Sequence, residues 1–393
     1  PLKGVRWLVA ADVRSVLDAL EADGRPARFV GGCVRDSLLN PDFEPSDIDL
    51  ATPEPPERVM ALLARAGIRA IPTGIEHGTV TAIADNRRFE ITTLRQDVET
   101  FGRQARVAFT ADFEADAARR DFTINAMSAD REGRLFDPFG GRADLEAGRI
   151  RFVGEPRARI REDYLRILRF FRFFARYGRP PADPAALAAC ASEAPGLKQL
   201  SAERIREELL RLLEAPGAVT SLQLMRDTGV LAQIFPWPVD LERLRRLLER
   251  APEADAIVRL AALIRAPTRP EAEIEAFARA LRLSNEERRR LILLATAPLP
   301  NPEADTQAQR AAVYRLGAAI YADLLRLAAA EYGTEPDRLQ ALLAMVAQLA
   351  VPVLPIRGAD VVARGVPPGP EVGELLRAVE AYWIGAGMQP GRA

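Results

Sequence analysis

Ser46-Asp47-Ile48-Asp49-Leu50-Ala51-Thr52, read with Gly31-Gly32-Cys33-Val34-Arg35-Asp36 upstream of it, decides the fold. An extended strand sends alternate side chains to one face, so Asp47 and Asp49 present two carboxylates side by side. Neighbouring carboxylates repel unless a cation sits between them. Hard oxygen ligands at this spacing suit Mg²⁺, in a site that can hold two ions about 3.5–4 Å apart and stabilise attacking and departing oxygens. The chemistry expected of such a strand is phosphoryl or nucleotidyl transfer. A lone Asp-x-Asp more often closes a strand and faces water, and the glycine pair is what shifts the balance.

Ala27-Arg28-Phe29-Val30 reads as a short strand, Gly31-Gly32 as a turn free of Cβ obstruction, and Cys33 to Leu39 as the start of a helix. Backbone N–H groups at such a turn point outward, where the helix dipole favours an anion. Arg35 adds a fork for a triphosphate. Neither Gly-x-Gly-x-x-Gly nor Gly-x-x-x-x-Gly-Lys fits this turn, so neither a dinucleotide fold nor a P-loop is indicated.

From these residues the chain resembles the class II tRNA nucleotidyltransferases, the CCA-adding enzymes and their bacterial poly(A) polymerase relatives. Further matches follow in order. Arg119-Arg120-Asp121-Phe122-Thr123-Ile124-Asn125-Ala126-Met127 is similar, nearly letter for letter, to the family's ribose-recognition segment. A carboxylate accepts from ribose hydroxyls, and Arg120 answers phosphate. Without the resemblance, Arg-Arg-Asp would read as a solvated charge run.

The 393 residues, 48% of them hydrophobic, are ample for two or more domains. A net charge of −1 excludes a uniformly cationic surface, so any nucleic-acid contact comes from a local patch. The 54 basic residues include only two lysines, Lys3 and Lys198, a skew that codon bias in a GC-rich genome would explain. Cys33 and Cys190 cannot make a disulfide framework or a zinc site, and no signal peptide or apolar run of spanning length appears. A cytoplasmic location, no membrane and no obligatory protein partner are expected. With His77 the only histidine, a multi-histidine metal site cannot be built.

Leu8 to Asp23 and Glu57 to Ala66 have helical periodicity. Thr79 to Ala84 and Phe89 to Leu94 alternate and read as a hairpin closed by Asp85-Asn86-Arg87-Arg88. Glu90 stands among strand formers, either as a third carboxylate or base at the metal site or as an exposed edge glutamate. From Asp97 to Asp116 the chain is polar and weak in period, which reads as a mobile loop. In the family this loop assists the switch to adding A. The resembled wording Asp-Gly-Arg-His is replaced here by Phe101-Gly102-Arg103-Gln104.

Between Arg149 and Arg179 ten arginines face only Glu155, Glu162 and Asp163. Glu162 to Arg172 reads as one helix, with Leu168, Phe171 and Phe174 on an apolar face and Arg166, Arg169, Arg172 and Arg176 along a cationic edge. Asp163 and Arg166, at i and i+3, share a face. As an ordinary surface pair they would be worth about 0.3–0.5 kcal/mol. As a selector they do more, because an aspartate accepts from the exocyclic amine of cytosine or adenine and an arginine donates to cytosine N3 or adenine N1. Guanine and uracil present a carbonyl and an N–H there, and the unpaired groups allow roughly 10⁴-fold rejection. The family's Glu-Asp-x-x-Arg motif has this amino-acid template role and matches Glu162, Asp163 and Arg166. Arg169 and Arg172 match further nucleotide contacts, and Ser201 to Leu210 the segment that props the selecting helix.

Beyond Gly217 the pattern is helical, with Ser284-Asn285-Glu286-Glu287 as a capping box, joints at Pro298 to Pro302 and Pro352 to Pro355, and a helix over Ala308 to Ala330. Gly358 to Val362 and Gly369 to Leu376 resemble the distal module that docks on the tRNA elbow. The expected architecture is α+β: a nucleotidyltransferase-type head with a small mixed, mainly antiparallel sheet (1–150), then an all-α neck (151–215), body (216–300) and tail (301–393). The resemblance implies addition of C, C and A to the tRNA 3′ end from CTP and ATP with Mg²⁺ on Asp47 and Asp49. A poly(A) polymerase, a CC-only or A-only adder, and an inactive RNA-binding protein are the alternatives.

Overall fold

The strands of the first half are β1 (Arg28–Val30), β2 (Asp47–Thr52), β3 (Arg69–Gly74), β4 (Thr79–Ala84), β5 (Arg87–Thr93), β6 (Arg95–Phe101), β7 (Gln104–Phe109), β8 (Ser128–Ala129) and β9 (Leu135–Phe136). Seven of them form one sheet in the order β3-β4-β5-β2-β1-β8-β9, antiparallel except where β2 runs parallel to β5. This computed structural model describes residues 2, 4–101, 104–266, 268–349 and 353–388, with the backbone alone at 77, 97–101 and 104–107. The chain divides into two units, Pro1–Pro236 and Trp237–Ala393.

The sheet follows from period-2 patterning. Ile48 and Leu50 of β2 are 0% and 1% exposed and face the core, which turns Asp47 and Asp49 to the other side. Asp85 and Asn86 join β4 to β5 with φ of 46° and 64°, the left-handed pair that suits a tight hairpin between twisted strands. The helices of this unit are α1 (Ala11–Leu20), α2 (Gly32–Leu39), α3 (Pro56–Arg65), α4 (Phe113–Ala118), α5 (Gly141–Ala147), α6 (Pro156–Glu162), α7 (Leu165–Tyr177), α8 (Pro184–Glu193), α9 (Ala202–Glu214) and α10 (Ala218–Asp227). A mixed, mainly antiparallel sheet followed by helices is the architecture the sequence leads one to expect.

Helix α7 is held by rings to the segments at Phe122 and Phe152, which form an isolated antiparallel bridge. Phe122 and Phe152 lie 4.9 Å apart, Phe122 and Phe173 5.2 Å, and Phe152 and Phe170 5.9 Å. Each such pair contributes about 0.5–1.5 kcal/mol beyond its buried area, so the cluster fixes the helix against the segment that carries Asp121.

Two expectations change in this unit. Glu162 to Arg172 is not one helix: α6 ends at Glu162 and α7 begins at Leu165, because Asp163 is extended at φ −155° and ψ 107°. The stretch expected as a loop contains β6 and β7, paired antiparallel from Arg95↔Phe109 to Phe101↔Gln104, and then α4. β6 is largely polar, and the apolar alternation of β7 at Ala105, Val107 and Phe109 is too short to stand out in a periodicity search. Gly102 and Arg103, within the variant Phe101-Gly102-Arg103-Gln104, lie outside the described residues.

In the second unit the helices are α11 (Leu241–Arg250), α12 (Ala256–Ile264), α13 (Glu271–Ala280), α14 (Asn285–Thr296), α15 (Thr306–Leu316), α16 (Ala318–Tyr332), α17 (Pro336–Gln348), α18 (Gly358–Val362) and α19 (Pro370–Gly385). Ser284 and Glu287 form the capping box of α14. The single helix expected over Ala308 to Ala330 is two, because Gly317 takes φ 81° and ψ 150° between α15 and α16. Among the described residues no helix is long and apolar enough to cross a membrane.

Candidate active site

Gly31 opens α2 with φ 72° and ψ −131°, a backbone state that favours glycine. A Cβ there would lie 3.4 Å from Asp49 Oδ2 and 3.7 Å from Arg120 Nη1, so the turn, the strand aspartate and the arginine converge on one point. Asp49 is half-buried, and Glu90 of β5 is its partner in the parallel register. Burial, the Glu90 charge and the Asp47 charge together push the Asp49 carboxyl up to about 6, against the pull of Arg120 and Arg35. An anionic group held so reluctantly is a site for a cation.

A cleft of about 610 Å³ has Gly31, Gly32, Arg35, Asp49 and Glu90 on one wall. Arg120, Asp121 and Asn125 line it next, and Asp163, Arg166, Arg169 and Arg204 face them from the helices. Most of the residues singled out from sequence therefore meet in one place. Asp47 and Arg172 do not line the cleft. Asp47 is exposed at the start of β2, and Arg172 turns away to Glu208, with Nε 2.5 Å from Oε2.

The break between α6 and α7 gives Asp163 its partners. Its Oδ1 accepts from Leu165 N at 3.1 Å and Arg204 Nη1 at 3.1 Å, and its Oδ2 from Arg204 Nη2 at 2.6 Å. A carboxylate has about four acceptor positions, so one remains on Oδ2 for an incoming amine. The expected pairing of Asp163 with Arg166 on a common helical face is not seen. Arg166 Nη1 instead donates to Glu162 Oε2 at 2.5 Å and Arg159 O at 2.7 Å, and Nη2 to Arg119 O at 3.3 Å. The backbone keeps an i, i+3 link, Arg166 N donating to Asp163 O at 3.0 Å, while the side chains take different partners; both residues line the cleft, and Arg166 keeps N–H groups for a base.

Asp121 is buried and already engaged: Oδ1 accepts from Phe122 N at 2.8 Å and Asn125 Nδ2 at 2.9 Å, and Oδ2 from Arg169 Nε at 2.7 Å. Burial alone would raise its carboxyl, but Arg169 and these hydrogen bonds hold it below the usual range. Arg120 Nη2 reaches Asp116 Oδ2 at 3.2 Å, and Arg119 and Arg120 likewise outweigh burial to keep Asp116 low. Arg204 was legible only as part of a supporting helix, and Asn125 only as a letter of the segment around Asp121. Neither carries a local signal for its contact.

A carboxylate-bearing strand against a glycine turn, opposite an acceptor and donor fit for a base edge, is the arrangement of a nucleotidyl-transferring enzyme. Residues 27–151 match the family model of the poly A polymerase head domain, 182–238 that of an RNA and SrmB-binding site of polymerase A, and 254–387 that of tRNA nucleotidyltransferase domain 2. The chain is 34% identical over 397 residues to the mitochondrial CCA tRNA nucleotidyltransferase 1 of Mus musculus, covering 97% of this chain and 88% of that one. It is 35% identical over 375 residues to the CCA-adding enzyme of Geobacillus stearothermophilus, covering 93% and 90%. The crystal structure of the Bacillus stearothermophilus CCA-adding enzyme in complex with CTP aligns with a TM-score of 0.74 at 31% identity, over 95% of this chain and 92% of that one. The chain belongs to the family of CCA-adding tRNA nucleotidyltransferases and poly(A) polymerases.

Enzymes of this family generally use a divalent metal ion. Among the described residues no three His, Cys, Asp or Glu side chains are gathered closely enough to hold one unaided. The raised Asp49 carboxyl supplies the matching electrostatic demand.

Proposed function

We propose that the chain adds C, C and A to the 3′ end of tRNA from CTP and ATP, with no nucleic-acid template and with release of pyrophosphate. The observation that carries the reading is the single cleft in which Asp49 and Glu90 stand across from Asp163 and Arg166. The acceptor and donor fit cytosine and adenine and reject uracil and guanine, so one pair of side chains serves both substrates.

Asp49, which lines the cleft, and Asp47, which lies outside that lining with its charge felt by Asp49, would hold Mg²⁺, which would lower the barrier to displacement at the α-phosphorus by neutralising charge on the attacking and departing oxygens. Arg35, the Gly31-Gly32 turn and Arg120 bind the triphosphate and orient it. Glu90, beside Asp49, is placed to hold a proton from the primer hydroxyl or to serve as a third carboxylate. Arg169 braces Asp121, and with it the segment that meets the ribose. Arg172, paired to Glu208, supports the nucleotide through α9 rather than by touching it.

In this reading 1–150 is the catalytic head, 151–215 the neck, 216–300 the body and 301–393 a tail that meets the tRNA elbow. The RNA-binding match over 182–238 and the tRNA nucleotidyltransferase match over 254–387 support an RNA-handling role for the helical part, and each spans one of these boundaries, 215/216 or 300/301. Two free, buried cysteines suit a reducing compartment such as the cytoplasm. The test is incubation with tRNA lacking its last three nucleotides, supplying CTP, ATP or both. Two additions with CTP alone and a third only when ATP follows are expected. A growing A tract, or one nucleotide type only, would replace the proposal with a narrower enzyme.

A further inference from the structure

Tyr177 ends α7 on the side away from Asp163. Its hydroxyl donates to Asp36 Oδ1 at 2.9 Å and accepts from Arg176 Nε at 3.0 Å. Its ring lies against the Arg35 guanidinium, 4.4 Å from Cζ to the ring centre. Asp36 grips the same guanidinium in its plane, taking Nε at 2.9 Å and Nη2 at 3.0 Å, and Asn125 Oδ1 takes Nη1 at 2.6 Å.

Three of the five N–H donors of Arg35 are thereby fixed, and one on each terminal nitrogen remains. Arg35 lines the cleft although it is only 7% exposed. Its remaining donors are aimed by contacts on three sides rather than by its own flexible stem. Phe173 and Tyr177 stack one turn apart at 5.8 Å, on the same stripe of α7 as Arg166 and Arg169. Arg166 to Tyr177 spans about 16 Å of helical rise. One rigid helix thus carries a base-reading arginine near one end and a tether to Arg35 at the other.

We infer that Tyr177 is a positioning residue for the nucleotide's polyphosphate: its hydroxyl, acting through Asp36, aims Arg35 at the phosphates and sets that aim relative to the helix that reads the base. The inference rests on the reading of Arg35 as a phosphate ligand. Burial and the Asp36 charge outweigh the nearby arginines and raise the phenol above its ordinary value, so it remains a donor to Asp36.

Tyr177→Phe removes the hydroxyl and keeps the ring. In the full chain, the dissociation constants of CTP and ATP and the inhibition constant of CMP are measured beside a thermal melt, with Arg35→Gln in parallel. Tyr177→Phe weakens CTP and ATP alike by about five- to tenfold, raises KM with little change in kcat, and leaves CMP binding and the CTP-to-UTP preference intact. Asp36→Asn gives the same pattern and serves if Tyr177→Phe does not fold. If Arg35→Gln weakens CTP while Tyr177→Phe and Asp36→Asn do not, the inference falls and the Arg35 reading stands. If Arg35→Gln leaves CTP binding unchanged, both fall. Equal loss of CMP and CTP with a lowered melt would make Tyr177 packing support only and overturn the inference.

Discussion

Arg204 holds Asp163 with both terminal nitrogens, at 3.1 and 2.6 Å, across a separation of 41 residues in the chain. The pair fixes which lone pair of the aspartate faces the cleft, and that orientation is what a base-reading acceptor needs. Arg204→Ala leaves the aspartate in place but lets it swing. The ratio of kcat/KM for CTP over UTP falls about tenfold, and Arg204→Lys restores only part of it, because a point charge cannot reproduce the two-pronged contact.

Gly196 lies against the ring of Tyr164, the residue next to Asp163. A Cβ built on it would stand 2.1 Å from the Tyr164 ring, inside the break that displays Asp163. Gly196→Ala therefore pushes Tyr164 out and carries Asp163 with it. Misincorporation of UMP rises, and urea denaturation shows a loss of about 1–3 kcal/mol, the usual cost of overpacking.

The buried pair of Asp121 and Arg169 predicts a pH-dependent stability difference. The folded Asp121 carboxyl is held below its unfolded value, so its stabilisation is present above about pH 4 and is lost as pH falls through the lower folded value. Arg169→Ala leaves a buried charge without its cation and costs about 2–4 kcal/mol near neutrality. Urea midpoints between pH 3 and 8 should show the gap from the parent protein narrowing as acid neutralises Asp121.

Asp49 predicts the opposite sign. Its folded carboxyl is raised to about 6, so its contribution favours the fold below the unfolded value and is lost as pH rises through about 6. Asp49→Asn then stabilises the metal-free protein by about 1–2 kcal/mol at pH 8 and makes little difference near pH 4. Melts in EDTA and in Mg²⁺ check this: the ion should raise the parent's melting temperature more than the variant's. Nucleotide incorporation by Asp49→Asn should be lost in both cases.

What could be read from sequence was what is local. Asp47 and Asp49 alternate on a strand, Gly31-Gly32 marks a turn free of Cβ obstruction, and Ser284 with Glu287 caps a helix, all within a few residues of chain. The break at Asp163 was not legible, since the apolar period runs unbroken through it; the space over Gly196 for Tyr164 and the pull of Arg204 override that period. Tyr177 and Asp36 are 141 residues apart, and no local pattern encodes their hydrogen bond. The hairpin of β6 and β7 escaped because only β7 alternates in an apolar way, at Ala105, Val107 and Phe109, a run of six residues beside a largely polar β6.

The account depends most on Asp163 choosing the base within reach of the carboxylate strand. Single-nucleotide extension of tRNA lacking its terminal CCA, comparing the parent with Asp163→Ala for all four triphosphates, tests it most directly. The parent should accept CTP and then ATP and refuse UTP and GTP, while Asp163→Ala, with tRNA binding retained, should begin to add U. Undiminished refusal of UTP by that variant would contradict the account.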